Sequence, residues 1–522
     1  MPEASLPRAW THRNGGVFNR NMTRALLIAG VLALPGSPVH GQSGQVVPLT
    51  LERLVELGMR DSYRVRQLRL DIERTRSNLR AEQAGLKSNV SLEFATPEFE
   101  AISDYKWNST LQKNELVHEN TRRWELDLSI RQPVILFGFP TNGYLSLNNR
   151  IYRYSQLGED ERDVRFYNRY FVGYNQPLFQ PNAMKNNLEE AELDLERAEL
   201  DYQDDVVGIV EDLSEDYYEL FESAYERVIA DGNVANLEAA AEAARQRAAQ
   251  DASRAIELDQ VQVELANARE ARQQAASSFR LQAASLKQRL RLPAGDSIAL
   301  DPALRVEPIQ VDAARAVQMA MTLAPRLRQL AIARRENEIE LEQTRGRDSF
   351  RMNLELTYGR EMQDPRFGNL WQEPRNSYTV NVSGHIPIWD WGERKHRIRA
   401  QQYSLERTDL QVEEARSSIE TSVQNEVRNL EEYEQRALNM QENLTFARQI
   451  TATTLERYRA GDVTLVDLLQ TIRREDDTAN NLLEAYLGLK NALLRLQQLT
   501  YYDFEHDLPL LERFRIDPSA GL

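Results

Sequence analysis

The run Thr379–Trp391, TVNVSGHIPIWDW, followed by Gly392, decides the fold. Tyr378, Val380, Val382 and Ile386 are apolar or amphipathic, and Thr379, Asn381, Ser383 and His385 between them are polar. A period of two describes a strand with one apolar face and one wet face. Pro387 lacks the N–H that a ladder needs and ends the pairing. After Gly392 the apolar positions switch to a helical period that holds for roughly 65 residues, roughly 95–100 Å of helix.

The arrangement occurs twice. Phe171–Phe179, FVGYNQPLF, also carries a Pro followed by an apolar pair and leads into a long helix. With Pro177 set against Pro387, Ile209 falls on Ile419, Leu213 on Val423, Tyr217 on Val427 and Leu220 on Leu430. Upstream, Arg64–Leu68 (RVRQL) matches Arg326–Leu330 (RLRQL), and at that offset Leu92-Glu93-Phe94 meets Leu354-Glu355-Leu356. The chain is one unit used twice: helix, strand, strand, long helix, returning helix. The first repeat spans 42–292 and the second 312–500, with a Pro- and Gly-containing linker at 293–311 and a tail without strong pattern at 501–522.

The N-terminus reads as an export signal. Met22-Thr23-Arg24 precedes the apolar run Ala25–Leu34, which Pro35 and Gly36 break. Residues 1–41 are expected to be a signal peptide with an upstream extension.

Composition narrows the function. Beyond residue 50 no apolar run approaches the roughly 20 residues of a membrane helix. The net charge of -16 argues against nucleic acid as a partner. The absence of cysteine removes disulfides, thiolate metal sites, cysteine nucleophiles and a lipid-modified N-terminal cysteine. No GxGxxG, P-loop, HExxH or GxSxG motif is present, and the six histidines form no metal spacing. No catalytic residue, cofactor or metal is expected, and the chain is not read as an enzyme.

Alternation marks the strands and their faces. Val90, Leu92 and Phe94, then Phe350, Met352, Leu354 and Leu356, then Val380 and Val382 form the apolar sides and are expected to face lipid. Trp124, Leu126, Leu128 and Ile130 alternate in the same way, and a Tyr-rich run follows at 144–154, so the first repeat carries about one hairpin more than the second. Residues 97–123 read as a long polar loop. Open strand edges do not survive in lipid, so the strands must close into a barrel. A barrel takes about eight strands or more; the four to six expected here are too few, and several chains must contribute. The geometry points to an outer-membrane pore on a long periplasmic helical stalk.

Three stretches carry a resemblance: QPLF (Gln176–Phe179), IPIWDWGERK (Ile386–Lys395) and RYRAGDVTLVDLLQ (Arg457–Gln470). With the duplicated order of elements, they resemble the TolC family of outer-membrane efflux proteins. The resemblance implies a homotrimer with a twelve-stranded β-barrel on a twelve-helix periplasmic tunnel. It also implies tips that meet a periplasmic adaptor, and an inner-membrane transporter that supplies the energy for efflux or type I secretion. Asp467, Asp259 and Tyr458 then become candidate gate residues, and Ala252, Ser253, Gly461, Asp462 and Thr464 candidate adaptor contacts. Asp467 has a simpler reading as a carboxylate at a helix N-terminus. Gln470 stands where a second aspartate of the family's gate can occur, and the first-repeat tip AAQDASRAIELDQ (Ala248–Gln260) lacks a glycine. The competing function is a periplasmic coiled-coil adaptor or structural protein without a pore.

Overall fold

The computed structural model describes residues 46–110, 112–157, 162–293, 295–347 and 349–514; the expected signal peptide lies outside them. The first repeat opens with strand β1 (Val46–Pro48) and helices α1 (Leu51–Asp61) and α2 (Tyr63–Gly85). Strands β2 (Asn89–Asn108), β3 (Lys113–Leu136), β4 (Phe139–Leu157) and β5 (Arg162–Leu178) follow, then helices α3 (Ala183–Gln250) and α4 (Ala255–Arg289). The linker holds β6 (Ser297–Ala299), which pairs in parallel with β1. The second repeat has α5 (Ala313–Leu323), α6 (Pro325–Arg347), β7 (Arg351–Asp364), β8 (Arg375–His385), α7 (Glu393–Ala460) and α8 (Leu465–Thr500). It closes with β9 (Tyr502–Asp503), β10 (Leu508–Pro509) and α9 (Leu510–Arg513).

The helices form a layer. Beside the sheet the order is α2, α3, α6, α7; in the far half it is α4, α3, α8, α7. Each half is therefore four helices wide. α3 and α7 each have 68 residues and run the whole height, about 100 Å at 1.5 Å per residue. The opening helix of each repeat is broken in two. Ser62 ends α1 and caps α2 by accepting from the Val65 N–H, and Pro325 begins α6, a first-turn position where its missing N–H costs nothing. Far from the sheet the seam is narrow: Ala240, Ala241, Ala243 and Ala244 are buried against Val261, Leu265 and Ala268.

The outer edges of the layer are not wet throughout. Tyr63 and Leu70 on α2, Tyr403 and Leu410 on α7, and Ile256 and Val263 on α4 sit seven residues apart, with Phe446 and Ile450 four apart on α7. All eight are between 52% and 66% exposed. These helices flank the layer. Spacings of seven and four are those of a helix–helix seam.

β2, β3, β4, β5, β7 and β8 form one antiparallel sheet in that order. Directly paired residues share a face. One row across all six strands reads Val90, Ile130, Leu147, Val172, Tyr358, Tyr378; the adjacent row reads Asn89, Arg131, Ser146, Gly173, Thr357, Thr379. At this level one face is thus apolar and aromatic from edge to edge and the other polar or small. Val90, Leu92, Phe94, Leu356, Val380 and Val382 all stand exposed on the apolar side, and Met352 and Leu354 share it by register. Phe350 precedes β7 and packs 5.5 Å from Phe179.

Three expectations need correction. Residues 97–123 are not a loop: β2 runs to Asn108 and β3 starts at Lys113, paired as far as Asn108–Lys113. A register shift between Ala95 and Glu98 reverses the phase of the alternation there and hides it from a period-two reading. The extra hairpin joins the main sheet as β3 and β4, turning through Phe137 and Gly138 at φ 52° and 87°, a two-residue turn of positive φ. The tail is not patternless. Asp503 is fully buried and is held by Arg513 Nη1 at 2.7 Å and Gln497 Nε2 at 3.0 Å, and Arg513 Nη2 reaches Glu52 at 3.0 Å, which fastens residues 501–514 to α8 and α1.

Leu354→Arg places a charge on the apolar face and is expected to cost roughly 2–4 kcal/mol near a bilayer midplane, with a loss of inserted protein. Asn353→Arg, on the polar face, should insert normally. Equal losses in heat-resistant oligomer from the two variants would reverse the face assignment.

Candidate gate and adaptor tip

The far end of the layer consists of two helical hairpin turns. In the first, α3 ends at Gln250, a short 3₁₀ turn (Ala252–Arg254) follows, and α4 starts at Ala255. Asp251 Oδ1 accepts from the Ser253 N–H at 3.0 Å and its hydroxyl at 2.7 Å. In the second, Gly461 ends α7 at φ 89°, a left-handed cap that glycine adopts without a Cβ penalty. Its N–H donates to the Tyr458 carbonyl at 3.1 Å, and the Asp462 N–H donates to the Arg457 carbonyl at 2.9 Å. Ala252, Ser253, Gly461, Asp462 and Thr464 are all exposed, as a contact surface requires.

Thr464 and Asp467 form a capping box at the start of α8. The Asp467 N–H donates to Thr464 Oγ1 at 3.2 Å, and Asp467 Oδ2 accepts from the Thr464 N–H at 3.0 Å and hydroxyl at 2.6 Å. The hydroxyl first, then the backbone N–H, hold the Asp467 carboxyl below its usual range. The simpler reading of Asp467 is thus part of its role: it satisfies orphan donors at a helix end. Asp259 is exposed near the start of α4, and Gln470 is exposed on α8.

Tyr458 is fully buried among Val234, Leu237, Val261, Leu465 and Leu468. Its hydroxyl donates to Glu257 Oε2 at 2.7 Å, across from α7 to α4. Arg247, near the end of α3, stacks 4.3 Å from the ring centroid, donates to the Tyr458 carbonyl at 3.2 Å and lies 3.8 Å from Glu257. Burial first, and then the Glu257 carboxylate, push the Tyr458 phenol above its ordinary range. One tyrosine therefore ties three helices at the tip. Arg247 and Glu257 were missed by sequence reasoning; the only signal was a cation in the last turn of a long helix, which many surface arginines share.

The grouping of Asp503, Glu505 and His506 brings three potential ligand atoms within 4.8 Å of one another, a proximity that histidine spacing alone did not reveal. Asp503 is already engaged by Arg513, Gln497, the Glu505 N–H and His506 Nδ1, so the cluster is an ion-pair clamp on the tail.

Residues 298–500 match the sequence model of the family described as outer membrane efflux protein. That match spans the end of the linker and the whole second repeat. The fold of the whole chain agrees with it. CusC, solved in a study of transmembrane channel formation, is 13% identical, with 88% of this chain and 93% of that chain covered at a TM-score of 0.62. The outer membrane protein VceC of Vibrio cholerae is 11% identical, with coverage of 87% and 95% and a TM-score of 0.60. The CmeC outer membrane channel of Campylobacter jejuni is 12% identical, with coverage of 90% and 89% and a TM-score of 0.58. No curated protein matches the sequence. The second repeat thus carries the sequence pattern of outer membrane efflux proteins, and the whole chain has the fold of these channels.

Thr464→Ala is expected to cost about 1 kcal/mol through loss of the cap. Asp467 has a folded pKa below its unfolded one, so its share of the cap is present above pH about 3.9 and is lost as pH falls through the folded value. Amide protection relative to the intrinsic exchange rate at 465–468 should fall in Thr464→Ala, and in the parent chain as pH falls through the folded value. Unchanged protection in both cases would mean that the capping box does not hold the helix start.

Proposed function

We propose that the protein is the passive exit duct of a tripartite efflux pump or a type I secretion system, working as a homotrimer. Its tips would meet a periplasmic adaptor, and an inner-membrane transporter would supply the energy. The observation that carries this reading is the single open sheet with an apolar row and a polar row across all six strands. In lipid such a sheet needs neighbours on both edges. The exposed apolar positions on α2, α4 and α7 give the helical layer matching seams on both flanks, and fully covering one such side chain contributes roughly 1.5–3 kcal/mol. An adaptor or structural coiled coil has no use for a sheet of this kind.

The tips form the gate in this reading. Symmetry-related copies of Asp467 would stand as a carboxylate ring that favours cations, with Asp259 adding charge from the first-repeat turn. The Tyr458–Glu257 bond would hold the closed arrangement, with Arg247 steadying both groups.

Fractionation of expressing cells tests the whole: an outer-membrane trimer is expected, and a soluble periplasmic monomer would overturn the reading. Two variants test the gate in planar bilayers. Asp467→Asn keeps a hydrogen-bond acceptor for the cap and removes the charge, so cation selectivity should fall while trimer yield holds. Tyr458→Phe removes one hydrogen bond to a charged acceptor, roughly 1.5 kcal/mol, and should raise the open fraction roughly tenfold. Unaltered selectivity and unaltered gating would leave these residues with structural roles only.

A further inference from the structure

β3 and β4 have no counterpart in the second repeat. The offset that sets Leu92 on Leu354 makes β2 correspond to β7, and the offset that sets Pro177 on Pro387 makes β5 correspond to β8. β3 and β4 are one hairpin inserted between the two strands of the first repeat. The hairpin is hydrogen-bonded on both sides: β3 to β2 from Arg131 to Lys113, and β4 to β5 from Tyr144 to Leu157. It also obeys the two faces of the sheet, with Ile130 and Leu147 in the apolar row and Arg131 and Ser146 in the polar row.

The widths of the two layers are compatible with six wall strands. Strands about 4.8 Å apart and tilted about 40° each occupy roughly 6 Å of a barrel's circumference, so six occupy roughly 37 Å and four roughly 25 Å. Four helices spaced 8–10 Å occupy roughly 32–40 Å. With six strands the sheet is as wide as the helical layer that supports it; with four it would be about a third narrower.

We propose that β3 and β4 are wall strands of the barrel. The β8 edge of one chain pairs with the β2 edge of a second copy, and six strands from each of three chains close an eighteen-stranded barrel instead of the twelve-stranded one that the family resemblance implies. This rests on the homotrimeric channel reading above. Barrel diameter grows roughly linearly with strand number, so the wall stands at roughly 35 Å across, about half again the twelve-stranded value. Barrels of 16–18 strands hold an open aqueous channel. The outer mouth is then wider than a twelve-stranded one, and selection by size falls to the periplasmic tip.

Electron cryomicroscopy of the purified full-length trimer in lipid nanodiscs is expected to resolve eighteen wall strands. Twelve strands with the 113–157 hairpin outside the wall or folded into the lumen would overturn the proposal while leaving the channel reading intact. Because the chain has no cysteine, single substitutions report single positions. A charged, membrane-impermeant maleimide should label Asn148→Cys through the lumen at least tenfold faster than Leu147→Cys, which faces lipid. Equal labelling of the two would also overturn it. A protein recovered only as a water-soluble monomer would overturn both this inference and the reading beneath it.

Discussion

Backbone polar groups have no water to turn to inside a bilayer, and this constraint governs the rest of the molecule. The sheet answers it with ladders on every internal strand and with side chains sorted by face. Arg131, Ser146, Gly173, Thr357 and Thr379 lie on one side, and Ile130, Leu147, Val172, Tyr358 and Tyr378 on the other. A single chain cannot finish the answer, because β2 and β8 remain edges. Assembly is therefore built into the sheet, and the helical layer below must assemble with the same geometry.

The helices meet that demand with little hydrophobic material. Mean hydropathy over the chain is -0.58, and α3 and α7 bury only narrow stripes. Alanines allow close approach at the far end, where Ala240 and Ala244 face α4 and α8, and larger residues such as Leu430, Leu489 and Leu496 fill the space nearer the sheet. The tip combines a buried apolar cluster with specific polar geometry. A buried tyrosine bonded to Glu257, an arginine over its ring, a glycine cap and a Thr–Asp capping box stand where α3 and α7 end and α4 and α8 begin.

The sequence was legible wherever one physical period acted alone. Phe350 to Tyr358 alternate without interruption, and β7 lies there; the long helical period after Gly392 became α7 with its start at Glu393. Asp467 reads in sequence as a carboxylate at a helix N-terminus, and the structure adds its partner, Thr464, in a capping box. The upper part of the first hairpin was hidden because a register shift at Ala95–Glu98 changes the phase, and because strands beyond the hydrocarbon region have no face that must be apolar. Arg247 and Glu257 were hidden for a different reason. They are two charges among 144, 64 basic and 80 acidic, and only the fold brings them to one tyrosine. The tail residues Asp503 and Arg513 form a buried pair that no local period signals.

The central claim is that one face of this sheet meets lipid and the other meets water. A nitroxide scan of successive single cysteines from Met352 to Tyr358, in the full-length protein reconstituted into vesicles, measures this directly. Collision rates with oxygen, which concentrates in lipid, and with a water-soluble nickel chelate should alternate in antiphase: oxygen high at 352, 354, 356 and 358, the chelate high at 353, 355 and 357. A profile with no period of two, or chelate access at every position, would contradict the account.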